Sequence, residues 1–168
     1  MARAIDVANF IVTEGIDKGL DINNLKLQKL LYYSEVDSLL SRRRKSLFED
    51  DIEKWKLGPV VPSVYHEFKN YGPNPITETV ITIDFENLDD PWDFDFEEFN
   101  PDSLTIDEKK CINRVLDKLG NKNPFYLVDK THAEDLWKKD KDRIKLGEKH
   151  LSYDRKEMIE FFESRAGY

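Results

Sequence analysis

From Asn70 to Glu108 the chain contains no Lys, Arg or His, yet it holds twelve acids: Glu78, Asp84, Glu86, Asp89, Asp90, Asp93, Asp95, Glu97, Glu98, Asp102, Asp107 and Glu108. Carboxylates without counter-ions repel one another, so this stretch favours an exposed loop. Phe85, Trp92, Phe94, Phe96 and Phe99 are interleaved with the acids and are costly to leave wet. The run from Asp89 to Phe99 shows neither helical nor strand period and reads as a long loop. Its aromatics either tuck it onto the domain or serve a partner. Outside the segment, 22 acids face 26 Lys and Arg, so the net charge of −8 belongs to this one region and the remainder carries +4.

The flanking segments are helical in pattern. Ile5, Ala8, Ile11 and Val12 recur at helical spacing between Ala2 and Lys18, and Gly19 closes that helix. Asn24 is the expected N-cap of a second helix running to Leu40 or slightly beyond, with Leu27, Leu30, Leu31 and Ser34 as its buried stripe and Arg42–Lys45 as a solvated basic end. A short strand is expected within Leu47–Leu57, a turn at Gly58–Pro59, and a third helix from Pro62 that carries Val64 and Phe68. Val80–Phe85 alternates as a strand, with Ile81, Ile83 and Phe85 on one side. Thr105 and Glu108 form a capping box ahead of Ile112, Val115, Leu116 and Leu119, and that helix ends at Gly120. Asn123–Pro124 opens a short helix. Thr131 to Glu134 reads as a second capping box, with His132 at the first helical position ahead of Leu136 and Trp137. A last helix follows Ser152 with Met158, Ile159 and Phe162. No repeat or linker divides the chain. The expected fold is mainly α with a small β element (α+β), a single compact domain over residues 1–168 with about six to seven helices.

A chain of 168 residues with 10 Phe, 7 Tyr and 3 Trp can bury one real core, and those aromatics argue against disorder despite 36% charged residues. No apolar run approaches the roughly 20 residues that cross a membrane. Met1–Asp6 lacks the apolar stretch of a secretory leader, so the expected location is cytoplasmic. With Cys111 alone, no intrachain disulfide and no cysteine zinc cluster can form. His66, His132 and His150 are not spaced as zinc ligands on one helix, and no Gly-x-Ser-x-Gly, P-loop or Gly-x-Gly-x-x-Gly occurs. Neither an enzyme nor a bound cofactor is expected, and chelation should leave the melting temperature unchanged. His66 beside Glu67 has the elements of a general base, but a lone surface histidine is the plainer reading.

Several blocks occur in order: Ala8–Ile11, Asn24–Tyr33, Trp55-Lys56-Leu57-Gly58-Pro59-Val60-Val61-Pro62-Ser63-Val64-Tyr65, and Tyr71–Gly72. Together they resemble the Panacea domain of SocA-like and phage-associated antitoxins. Leu127 to Trp137, with Thr131, His132 and Trp137, is similar to that family's second block. The chain departs from the pattern at Tyr33–Asp37, which leaves the Gly58–Pro62 core untouched. The resemblance implies a largely helical antitoxin of a toxin–antitoxin or prophage module. Such a protein neutralises a partner toxin by direct protein–protein contact, in some members by delivery to a cellular protease. A DNA-binding regulator of a mobile element is the alternative, although the acidic charge and the lack of a helix-turn-helix spacing oppose nucleic acid as a partner.

The motif residues Gln28, Leu30, Tyr32, Trp55, Gly58, Pro59, Val60, Pro62, Val64, Tyr65, Thr131, His132 and Trp137 have a sufficient explanation as a folding nucleus. Lys26 and Lys29, on the polar face of the second helix, and His66 are expected to be free to meet a partner. Asp89, Asp90, Trp92, Asp93, Phe94 and Asp95 are expected to offer negative charge around aromatic anchors to a toxin with a basic surface. The sequence leaves the oligomeric state open.

Overall fold

The computed structural model describes residues 1–84, 95–165 and 168. Eight α-helices lie among them: α1 Ala4–Asp17, α2 Asn24–Ser41, α3 Pro62–Phe68, α4 Ile106–Leu119, α5 Pro124–His132, α6 Asp135–Lys138, α7 Lys141–Lys145 and α8 Arg155–Glu163. Two antiparallel hairpins accompany them. β1 Glu53–Trp55 pairs with β2 Gly58–Val60 in the register Glu53 opposite Val60, and β3 Thr82–Asp84 pairs with β4 Asp95–Glu97 in the register Thr82 opposite Glu97. The fold is α+β and mainly α, with one helix beyond the six to seven expected, α7, which follows α6 behind Trp137.

Most helix ends follow local chemistry. Thr105 Oγ1 accepts from the Glu108 N–H while Glu108 returns its carboxylate to the Thr105 N–H, the capping box expected for α4. Asn123 caps α5, Asp154 caps α8, and Pro62 and Pro124 sit in first turns where no N–H is needed. Gly19, at φ +65°, closes α1 as a left-handed residue. Two boundaries move. The cap of α2 is Asn23, which accepts from the Lys26 N–H, so Asn24 lies inside the helix. Thr131 is likewise inside α5, with its hydroxyl bonded to the Val128 carbonyl, and His132 ends that helix. The second capping box therefore does not exist. A Thr-x-x-Glu pattern caps only where the Thr backbone is extended, and here it is helical.

The larger correction concerns α2, which the Leu27–Leu30–Leu31 stripe marks as a one-sided surface helix. Fifteen of its 18 residues are buried, because α1, α3, α4, α5, α8 and β2 surround it. Its apolar side chains, with Phe10, Ile11, Phe48, Val64, Ile112 and Phe162, form one core. The segment Asp95–Glu97, expected as loop, is strand β4, where pairing with β3 supplies an order that the side-chain pattern lacks.

Gly58 shows how tightly this centre is closed. Its φ is +94°, and a Cβ there would lie 2.5 Å from Thr131 Oγ1 and 3.2 Å from Lys29 Cε. Gly58→Ala should therefore cost about 1–2 kcal/mol for the left-handed backbone and about 1–3 kcal/mol more for overpacking, read as a lowered urea midpoint. A midpoint equal to that of the unmodified protein would contradict this packing.

Candidate partner-binding site

The polar side chains enclosed with α2 bond to the backbone of the elements around it. Lys29, fully buried, donates from Nζ to the Pro59 carbonyl at 2.9 Å. Gln28 Oε1 accepts from the Val61 N–H at 2.9 Å, Gln28 Nε2 donates to Asn24 Oδ1, and Asn24 Nδ2 donates to the Tyr65 carbonyl at 3.0 Å. The chain Gly58–Tyr65 is thus stitched to one face of α2 residue by residue. Lys26 is buried as well, with Nζ on the Asp21 carbonyl at 3.1 Å. Neither lysine is free to meet a partner; helices packed on every side of α2 leave it no polar face.

Other motif residues complete the same lock. Tyr32 and Tyr33 are buried and both donate to Glu134, at 2.6 and 2.7 Å. Trp137 Nε1 donates to the Trp55 carbonyl at 3.0 Å, and His132 stacks on the Trp137 ring at 3.8 Å. Leu30, Val60, Val64, Thr131 and Trp137 are all buried. Sequence reasoning placed Glu134 in a capping box and so missed it. Two consecutive helical tyrosines were the available signal, since buried hydroxyls require acceptors.

Burial shifts the titratable groups of this lock, raising the Tyr32 and Tyr33 hydroxyls and lowering the His132 imidazole. Loss of water pushes Lys29 down to about 7 and Glu134 up to about 7, the latter opposed by its tyrosine hydrogen bonds.

The outer side of the lock is open. Trp55 and Tyr65, expected as core, are only half-buried and meet edge-to-face at 5.0 Å along the wall of a groove of about 730 Å³. Val60 and Pro62 line its floor, Leu57 stands on its rim at 46% exposure, and Ile144 and Gly147 close the far side. The far side is fixed to the hairpin by Lys54, whose Nζ donates to Asp140 at 2.6 Å, and by His150, whose Nδ1 lies 2.9 Å from Glu53 Oε1. Just outside it Leu146 is 88% exposed. The rim is basic, with Lys56, Lys69, Lys149 and the exposed His66 and His150, while Glu148 is paired to Arg143. A cavity of this size, apolar inside with a charged edge, suits the apolar side chains of a partner. Of the expected contact residues, only His66 lies here.

Asp89, Asp90, Trp92, Asp93 and Phe94 lie outside the described residues, and Asp95 begins β4. Beside them, Phe96 is 70% exposed between Asp95 and the exposed Glu97 and Glu98. Among the described residues, no three His, Cys, Asp or Glu side chains gather as metal ligands, and no helix is long and apolar enough to cross a membrane.

Comparison with known proteins agrees with the motif. The family model described as Antitoxin SocA-like, Panacea domain, matches residues 27–138. Antitoxin SocA of Caulobacter vibrioides is 34% identical over 137 residues, 79% of this chain, and the chain spans 65% of that protein's length. No solved structure gives a significant match.

Lys29 and Glu134 set a pH dependence around neutrality. Glu134 holds a proton in the folded state that the unfolded state releases, so its contribution is full below about pH 4.5 and is lost as pH rises to about 7. Lys29 has the opposite sign: the unfolded chain binds its proton more tightly, so stability rises from about pH 7 to 10.5. Urea unfolding across pH 5–7 should show a falling component that is absent in Glu134→Gln, and unchanged slopes would contradict the assignment.

Proposed function

We propose a function from one premise, that the chain belongs to the Antitoxin SocA-like, Panacea-domain family: it is a non-enzymatic cytoplasmic antitoxin that neutralises a partner toxin by direct contact, with the Trp55–Tyr65 groove as the contact surface. The observation that carries this reading is that Leu57 is exposed and Trp55 and Tyr65 are only half-buried, within a motif whose Gly58–Val61 run and Val64 are buried. Buried motif residues are explained by folding alone, whereas half-buried aromatics beside an apolar floor match the anchors found at interface centres. The basic rim favours a toxin segment with apolar anchors and neighbouring acids.

The acidic stretch supplies a second contact, to a basic patch on the same toxin. Phe96, exposed beside the exposed Glu97 and Glu98, supports this. Complementary charge speeds capture, and an inserted aromatic slows release. Delivery to a cellular protease is a mechanism within this reading, and it shows as toxin loss in cells rather than simple inhibition. A DNA-binding role has less support, because α2, which the basic run Arg42–Lys45 follows, is enclosed and cannot enter a major groove as a recognition helix.

The neighbouring reading frame supplies the test. Its product should be lethal alone and tolerated with this chain. Leu57→Asp should abolish that protection while changing stability by less than about 0.5 kcal/mol, as for other exposed positions. Protection by Leu57→Asp at the level of the unmodified chain would remove the groove from the interface. Replacing Asp89, Asp90, Asp93 and Asp95 by Asn should slow association most at low salt, and Trp92→Ala should raise the dissociation rate. Unaltered kinetics in both would reduce the acidic stretch to a covering segment.

A further inference from the structure

The C-terminal end of α2 faces a second cavity of about 390 Å³, separate from the groove. Arg42, Arg43, Lys45, Lys110 and Arg114 line it, against one lining carboxylate, Asp107. Two of these cations are held in place by carboxylates behind them. Arg114 is bound to Asp37 and donates to Ser41 Oγ at 2.8 Å, while Arg42 reaches Glu108 at 3.4 Å and Ser38 Oγ at 3.1 Å. Lys110 lies 3.9 Å from Asp107, a weak exposed pair. Arg43 and Lys45 have no carboxylate partner among the described residues.

The backbone supplies an independent observation. Arg43 and Arg44 both have positive φ, +54° and +64°. They end α2 in a left-handed turn closed by the Arg44 N–H on the Leu39 carbonyl at 3.0 Å and the Lys45 N–H on the Arg42 carbonyl at 3.1 Å. Glycine is the relaxed residue for such a turn. Arginine here keeps strain in the backbone and places a further charge beside four others, the combination expected where a side chain is retained for binding. The Arg44 and Arg42 N–H groups occupy the Leu39 and Ser38 carbonyls of α2, which partly offsets the negative end of the helix dipole that would otherwise repel an anion.

We infer that this cavity binds a phosphate-bearing small molecule of about diphosphate size. Guanidinium forks match phosphate oxygens in pairs, and pre-positioned Arg42 and Arg114 lose little freedom on binding. The volume falls within the range of about 300–1,000 Å³ typical of small-ligand sites. The concave shape favours a compact anion over the phosphate rail of a duplex.

Isothermal titration calorimetry of the full chain with inorganic pyrophosphate, in a buffer free of phosphate and sulfate, tests this. Pyrophosphate should bind, inorganic phosphate more weakly, and sulfate weakest. Arg43→Gly separates binding from folding. It relaxes the turn, so it should melt at or above the temperature of the unmodified chain while binding pyrophosphate about tenfold more weakly or worse. The double variant Lys45→Ala/Lys110→Ala should lose affinity similarly with an unchanged melt. The proposal is overturned if pyrophosphate gives no saturable heat, if Arg43→Gly binds it as the unmodified chain does, or if sulfate binds equally. Binding of duplex DNA that pyrophosphate fails to displace would assign the cluster to nucleic acid and overturn it as well.

Discussion

A helix buried on every side is easiest to build from apolar residues, yet α2 encloses Asn24, Lys26, Gln28, Lys29, Glu35 and Asp37. Each needs a partner, because an unpaired polar group out of water costs several kcal/mol in the worst case and a charge costs more. The partners are largely the backbone and side chains of surrounding segments: Pro59 and Val61, Tyr65, and Leu47 with Arg155 around Glu35. Hydrophobic contact alone would let those segments slide. Hydrogen bonds of fixed length do not, so the buried polar groups of α2 set the register of the hairpin and of the chain leading into α3.

The proposed interface is a consequence of that register. Once Gly58–Val61 is pinned to α2, alternation places Trp55 on the outer side of the hairpin, Leu57 stands in its turn, and Pro62 starts a helix that brings Tyr65 against Trp55. Lys54 points the other way and holds Asp140, which positions the far wall at Ile144–His150. One short motif therefore does two jobs, with its inward residues holding the fold and its outward ones shaping a surface. On this account the partner's chemistry is set by residues that the folding requirement leaves free.

Local signals in the sequence were sufficient for most elements: the Thr105 capping box, Gly19, Pro62, Asn123–Pro124 and the start of α8 after Ser152 all lie as expected. Failures came where tertiary context overrode a local pattern. Lys26 and Lys29 read as a polar face because lysine is seldom buried, and nothing in the sequence announces a carbonyl waiting 30 residues away. Thr131 and Glu134 matched a capping pattern but serve the centre: Thr131 fills the space that Gly58 leaves, and Glu134 takes two tyrosine hydroxyls. β4 was invisible because only its pairing with Thr82–Asp84 gives Asp95–Glu97 an order. The groove was half legible, since the Trp55–Tyr65 motif names one wall, whereas Ile144–His150 joins it through the long-range Lys54–Asp140 and Glu53–His150 contacts.

Hydrogen exchange on the purified chain, alone and bound to the product of its neighbouring gene, tests the division of the motif most directly. The account predicts that amides of α2 exchange slowly in both states, and that new protection on binding appears at residues 53–69 and 144–150. Protection confined to other surfaces, with the groove exchanging as freely as in the unbound chain, would contradict it.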